Sequence, residues 1–165
     1  MKNDGMRVMI RNLPFLALAT ILGLGGLHAK DDAPRGFKPI SELDEAKASA
    51  VEDKRLLVVV VKGADDACPN CVAALENGER AVGSGVVKVF ARAEALNQGG
   101  SPGFPPALKE RAAKKFTTGA AVTFLVFNPD GTELLAEATR KELQSDKKAT
   151  AAFKKEVAEH KRALK

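Results

Sequence analysis

Several residue types and patterns are scarce in this sequence, and each shortage excludes a class of protein. The 165 residues include no Trp, no Tyr and only two Cys. Two cysteines cannot build a framework of several disulfides, and a chain of this length can form a core without one. An uncharged apolar stretch runs from Leu13 to Leu27, but it is shorter than the roughly 20 residues that a membrane-spanning helix needs.

Strong charge of one sign is also missing. The formal net charge is +5 at pH 7, with 26 basic and 21 acidic residues. The basic residues do not form a patch interleaved with aromatic residues, which is the pattern typical of nucleic-acid-binding surfaces. We therefore expect no nucleic-acid partner.

The first 29 residues have the order of features found in a secretory signal. Lys2, Arg7 and Arg11 give a basic start, the apolar stretch follows, and Ala29 ends the segment with a small residue. A basic start, an apolar stretch and a small residue, in this order, are the pattern of a cleaved signal peptide. An uncleaved N-terminal anchor is the alternative. With the signal removed no membrane span remains, and we expect the mature protein in the periplasm or secreted.

The rest of the chain predicts an extended lead-in over residues 30–40 and one domain over residues 41–165. Apolar periodicity and turn residues predict the secondary structure of that domain. The predicted helices cover residues 41–53, 69–82, 107–116 and 147–164, and the predicted strands cover residues 56–61, 86–90, 122–127 and 133–138. The second helix has a weak point at Asn77-Gly78, where it can end early. Alternation followed by a hairpin predicts an α/β fold of three layers, with helices on both faces of a central mixed sheet.

Residues 92–106 are rich in Gly and Pro, which argues against regular structure through most of this segment. The preceding strand runs parallel to the strand before the cysteines, so this segment is expected at the same end of the sheet. It is either a loop that contacts a partner or a surface insertion without that role.

The two cysteines lie three residues apart, in Cys68-Pro69-Asn70-Cys71, shortly after the buried strand. Two thiols at this spacing can close a disulfide ring or share a metal ion. Pro69 suits the first position of a helix, which would place Cys68 at the N-cap and Cys71 in the first turn. A thiol at a helix N-terminus faces unpaired N–H groups and the positive end of the helix dipole, which favour its thiolate.

This arrangement resembles the thioredoxin family over most of residues 41–165. The resemblance is carried by the strand Leu57–Val61 leading into the cysteine motif, by Val86–Val89, and by the strand and turn Val122–Gly131. It implies a thioredoxin-like fold and disulfide exchange, with Cys68 as the nucleophile and Cys71 as the resolving thiol. The implied partners are protein thiols or disulfides, and neither a cofactor nor a bound metal is expected.

The sequence departs from the family pattern at three places. Asp65-Asp66-Ala67 stands where the family usually has an aromatic residue before the first cysteine. Val122 stands where the family has a cis-proline, so the bond from Ala121 is expected to be trans. Lys62 stands where many members carry a buried acid, and the two acids at 65 and 66 are expected to be solvated loop residues.

These departures leave two alternatives to an exchange enzyme. One is a thioredoxin-like binding module without catalysis, in which the cysteines form a structural disulfide. The other is a dithiol that binds a metal, for which His160 is the one histidine outside the signal segment.

Overall fold

A five-stranded mixed sheet forms the centre of the protein. The computed structural model describes residues 33–98 and 103–165, so the predicted signal segment 1–29 lies outside the described residues. The strands, in chain order, are β1 (Lys38–Pro39), β2 (Leu56–Lys62), β3 (Val86–Arg92), β4 (Val122–Phe127) and β5 (Leu134–Thr139). Their order across the sheet is β1-β3-β2-β4-β5. β1, β3 and β2 run parallel, whereas β4 is antiparallel to β2 and to β5.

Within the described residues, six α-helices cover the two faces of this sheet. They are α1 (Leu43–Glu52), α2 (Pro69–Val82), α3 (Ala93–Asn97), α4 (Pro106–Ala113), α5 (Arg140–Gln144) and α6 (Lys147–Ala163), and a turn of 3₁₀ helix at Ile40–Glu42 precedes α1. Residues of α1, α3 and α4 line one hydrophobic core, and residues of α2, α5 and α6 line the other. The predicted α/β fold of three layers around a mixed sheet is therefore confirmed.

The central strand β2 explains why the protein has two cores. Six of its seven residues are apolar and buried. Successive side chains of a strand point to opposite faces. Accordingly, Leu57, Val59 and Val61 join the core beneath α1, α3 and α4. The residues that alternate with them along the strand join the core beneath α2, α5 and α6. A continuous aliphatic run is the pattern expected of a strand that is covered on both faces.

Three short elements were not predicted. β1 adds two residues of the lead-in to the sheet edge, where they pair with Val89 and Phe90. Within the Gly- and Pro-rich segment, β3 extends to Arg92 and α3 follows it, so the prediction of irregular structure is wrong for Ala93–Asn97. Residues 99–102 of that segment lie outside the described residues. α5 begins at a capping box in which Thr139 and Glu142 bond each other's backbone N–H groups.

The predicted bounds of the second helix are confirmed, and those of the third need a correction. α2 continues through Asn77-Gly78 and ends at Val82, with Gly83 as its C-cap. α4 ends at Ala113 rather than at residue 116, and Lys115 has a positive φ of 57°. Over the part of the chain that the structure describes, none of the helices combines the length and apolar character needed to cross a membrane.

Candidate functional site

The two cysteines form a disulfide at the start of α2. Pro69 is the first helical residue and Cys68 is the N-cap, with extended backbone angles of φ −68° and ψ 108°. The Cα atoms of Cys68 and Cys71 are 5.2 Å apart, and their sulfurs are bonded. The backbone N–H of Cys71 donates to the Sγ of Cys68 at 3.1 Å. The predicted placement of both cysteines is confirmed.

Both cysteines are buried, but not to the same degree. Cys71 is fully buried, whereas 8% of the Cys68 residue is exposed. The residues that flank Cys68 (Ala67, Pro69 and Asn70) are all exposed. Cys68 therefore lies nearer to the protein surface than Cys71 does, and ordered disulfide exchange needs a difference in access of this sign.

The loop that leads from β2 to the cysteines is hydrogen-bonded to the segment before β4. The N–H of Gly63 donates to the carbonyl of Ala121 at 3.0 Å, and the N–H of Ala64 donates to that of Thr118 at 2.7 Å. These bonds carry the contact between β2 and β4 beyond the ends of the strands. A Cβ at position 63 would overlap the carbonyl oxygens of Thr118 and Gly119, so only glycine allows this approach.

Val122 lies in the same hydrophobic core as both cysteines. It is buried at the start of β4, and the peptide bond that joins it to Ala121 is trans, as predicted. The structure thus brings Cys68, Cys71 and Val122 together on one side of the sheet, with an aliphatic side chain at the position that the resemblance assigns to proline.

A charged cluster stands beside the disulfide. Arg92 donates to both carboxylate oxygens of Asp66, at 2.9 and 3.1 Å, and Lys62 donates to Oδ1 of the same carboxylate. The two hydrogen bonds from Arg92, followed by that from Lys62, hold the pKa of Asp66 far below its ordinary value. Asp66 therefore stays ionised in neutral and mildly acidic solution.

Arg92 is the residue of this cluster that the sequence did not assign to the site. It ends β3 and pairs in register with Lys62, the last residue of the parallel strand β2. Two basic residues that follow apolar strands were visible in the sequence, but their adjacency depends on the register of the strands. Asp66 is 61% exposed, as expected of a loop residue, although it is ion-paired. Asp65 is exposed and accepts the N–H of Ala67 at 3.1 Å.

The donor set gives no support to the metal-binding alternative. Within residues 33–98 and 103–165, no group of three or more His, Cys, Asp or Glu side chains is placed to hold a metal ion. Two thiols alone fall short of the four ligands of a structural zinc site.

The architecture and the position of the disulfide are compatible with a thioredoxin-like fold. No protein-family model, no curated protein and no solved structure matches the chain.

Proposed function

We propose that this chain is an exported thiol–disulfide oxidoreductase of thioredoxin-like type, with protein thiols or disulfides as its substrates. One observation carries the proposal. The Cys68–Cys71 disulfide lies at the N-terminus of a 14-residue helix, where Cys68 is 8% exposed and its neighbours are exposed, whereas Cys71 is fully buried.

The oxidised protein would accept two electrons in two exchange steps. A substrate thiolate attacks the Sγ of Cys68, the bond between the two cysteines breaks, and the electron pair leaves on the Sγ of Cys71, which takes a proton from solvent. A second substrate thiolate then attacks the substrate sulfur of this mixed disulfide and releases Cys68 as a thiolate. The substrate gains a disulfide, and the protein becomes a dithiol.

In the reducing direction the same groups act in reverse. The Cys68 thiolate attacks a substrate disulfide, and Cys71 resolves the mixed disulfide. The N–H of Cys71 points at the Sγ of Cys68, 3.1 Å away, and together with the helix N-terminus it favours the thiolate that both directions require.

The proposed compartment agrees with this chemistry. Disulfides form and persist in the periplasm and outside the cell, whereas cytosolic thiols are kept reduced. The pattern of residues 1–29 supports export, and the disulfide is consistent with an oxidising compartment.

The test is reduction of insulin by dithiothreitol in the presence of the mature protein. We expect the native domain to accelerate the reaction and Cys68→Ser to lower the rate to that of dithiothreitol alone. Cys71→Ser should accumulate a mixed disulfide through Cys68, because the resolving thiol is absent. Ala67→Ser is the matched control, since it introduces a serine beside Cys68 and leaves the dithiol intact. Equal rates for the native protein and Cys68→Ser would overturn the proposal.

The low exposure of both cysteines favours a second candidate, a binding module with a structural disulfide. Such a disulfide would have a reduction potential below about −300 mV, whereas exchange enzymes lie between roughly −270 and −120 mV. Equilibration of the native protein with glutathione separates the two candidates. We expect a value in the range of exchange enzymes, and a value below it would favour the structural role.

A further inference from the structure

Three charged residues from three parts of the chain meet beside the cysteines. Lys62 ends β2, Asp66 belongs to the following loop, and Arg92 ends β3. Both cations contact the one carboxylate, so this group, called here the Asp66 cluster, has a net charge of +1.

The backbone of Asp66 lies close to that of Cys68. Asp66 precedes Cys68 by two residues, so their Cα atoms lie within about 7 Å of each other. That separation is shorter than the Debye length of about 8 to 10 Å at ordinary salt concentrations. The Lys62 side chain is only 11% exposed, which weakens solvent screening on the cationic side of the cluster.

The cluster also fixes the loop that carries Asp66. Arg92 donates to the carbonyl of Gly63 at 3.1 Å as well as to the carboxylate. Gly63 and Asp66 of this loop are thereby tied to one guanidinium, and the N–H of Ala64, between them, donates to the carbonyl of Thr118. These bonds link the loop that leads into α2 to the end of β3.

We propose that Lys62, Asp66 and Arg92 are positioning residues whose net charge sets the redox potential of the Cys68–Cys71 pair. This inference rests on the proposed function for its biological meaning. A positive neighbourhood favours the thiolate and so stabilises the reduced protein, which makes the pair more oxidising. Lys62 and Arg92 raise the potential, and Asp66 lowers it.

The test compares variants that change the charge of the cluster in opposite directions. Oxidised protein is equilibrated with glutathione, so that two glutathione thiols reduce the disulfide and become one glutathione disulfide. Asp66→Asn should shift the equilibrium towards the reduced protein, and Lys62→Gln and Arg92→Gln should shift it towards the oxidised protein. For one charge about 8 Å from the Cys68 sulfur, the equilibrium constant with glutathione should change roughly two- to six-fold. That change corresponds to about 9 to 23 mV in the redox potential.

A second readout follows the Cys68 thiol in the reduced protein. The rate of alkylation by iodoacetamide against pH gives the midpoint of thiolate formation. That midpoint should fall in Asp66→Asn and rise in Arg92→Gln, because the thiolate gains or loses net positive charge nearby. Arg92→Lys keeps the charge without the bidentate geometry, so it should stay nearer to the native value than Arg92→Gln does.

Matched controls place the same charge changes in and beside α4, on the opposite face of the sheet. Glu110→Gln and Lys114→Gln alter exposed side chains there and should leave both readouts unchanged. If the redox equilibrium shifts in the same direction in all cluster variants, the cluster only holds the loop in place. If its shifts are no larger than those of the controls, the cluster has no influence on the cysteines. Either result overturns the proposal. Both readouts need only the dithiol, so they stand even if the protein fails to reduce insulin.

Discussion

Gly78 is a position of close packing between α2 and the sheet. It lies in the middle of the helix, and a Cβ there would overlap the ring of Phe124 on β4. That ring is fully buried and packs edge-to-face against Phe153 of α6, with centroids 6.4 Å apart. The absence of a side chain at position 78 lets the helix that carries the cysteines lie directly on the sheet.

We expect Gly78→Ala to destabilise the protein although alanine is the better helix former. Alanine gains about 1 kcal/mol in helix propensity, but displacing the Phe124 ring in a close-packed core costs about 1 to 3 kcal/mol. Urea unfolding measures the net change in the free energy of unfolding. The same substitution in a Phe124→Leu background, where the ring is gone, should be less costly. A stabilised Gly78→Ala protein would show that the ring moves freely.

At the residue scale, the sequence predicted features that depend on neighbouring residues in the chain. It missed contacts that depend on how the strands align with each other. Cys68 as the N-cap follows from Pro69 and the apolar helix behind it, and both are local signals. The pairing of Asp66 with Arg92 spans 26 positions. It exists because β2 and β3 align Lys62 with Arg92, and no short-range pattern in the sequence encodes that alignment.

At the scale of elements, the long helices and strands were predicted and the short ones were not. A strand such as β4 has a continuous apolar pattern, and its bounds were predicted exactly. α3 has five residues and α5 has five, which is too few for a helical period to show in the sequence. Such helices are held by individual contacts with neighbouring elements rather than by their own propensity.

Asn97 makes contacts of this kind, because its side chain joins α3 to the segment that follows α4. Its side-chain amide donates to the carbonyl of Phe116, and its carbonyl oxygen accepts the N–H of the same residue, both at 2.7 Å. We expect Asn97→Ala to lower the free energy of unfolding by about 1 to 3 kcal/mol, because both backbone groups lose their partner in a half-buried place. Gln98→Ala, at the exposed neighbouring position, is the control and should change the stability by less than about 0.5 kcal/mol. Equal losses in the two variants would contradict the assigned role.

At the scale of the whole molecule, two cores hold the sheet between helices. Both are built mainly from aliphatic and Phe side chains, and the core beneath α2 also contains the two cysteines. Alternation of strands and helices, followed by a hairpin, was sufficient to predict this architecture. The apolar pattern alone did not predict that β4 pairs with β2. These strands are far apart in the sequence, and their pairing depends on how the whole chain packs.

The presence of two large cores predicts how the protein responds to reduction of its disulfide. The ring closed by Cys68 and Cys71 spans so few residues that the chain-entropy relation gives it only about 2 kcal/mol of stabilisation, and the two cores do not depend on it. We therefore expect the reduced protein to remain folded, with a free energy of unfolding lower by about 2 kcal/mol or less. Stabilisation of the Cys68 thiolate at the start of α2 should reduce this difference further.

Urea unfolding of the oxidised protein and of the protein held in excess dithiothreitol measures the difference directly. The double variant Cys68→Ser, Cys71→Ser controls for effects of the reductant, and it should unfold close to the reduced protein. By the linkage between folding and the redox equilibrium, a small difference means that the folded protein holds its disulfide little more strongly than the unfolded chain does. That property is required of a pair that cycles between dithiol and disulfide. Loss of the fold on reduction would instead assign the disulfide a structural role.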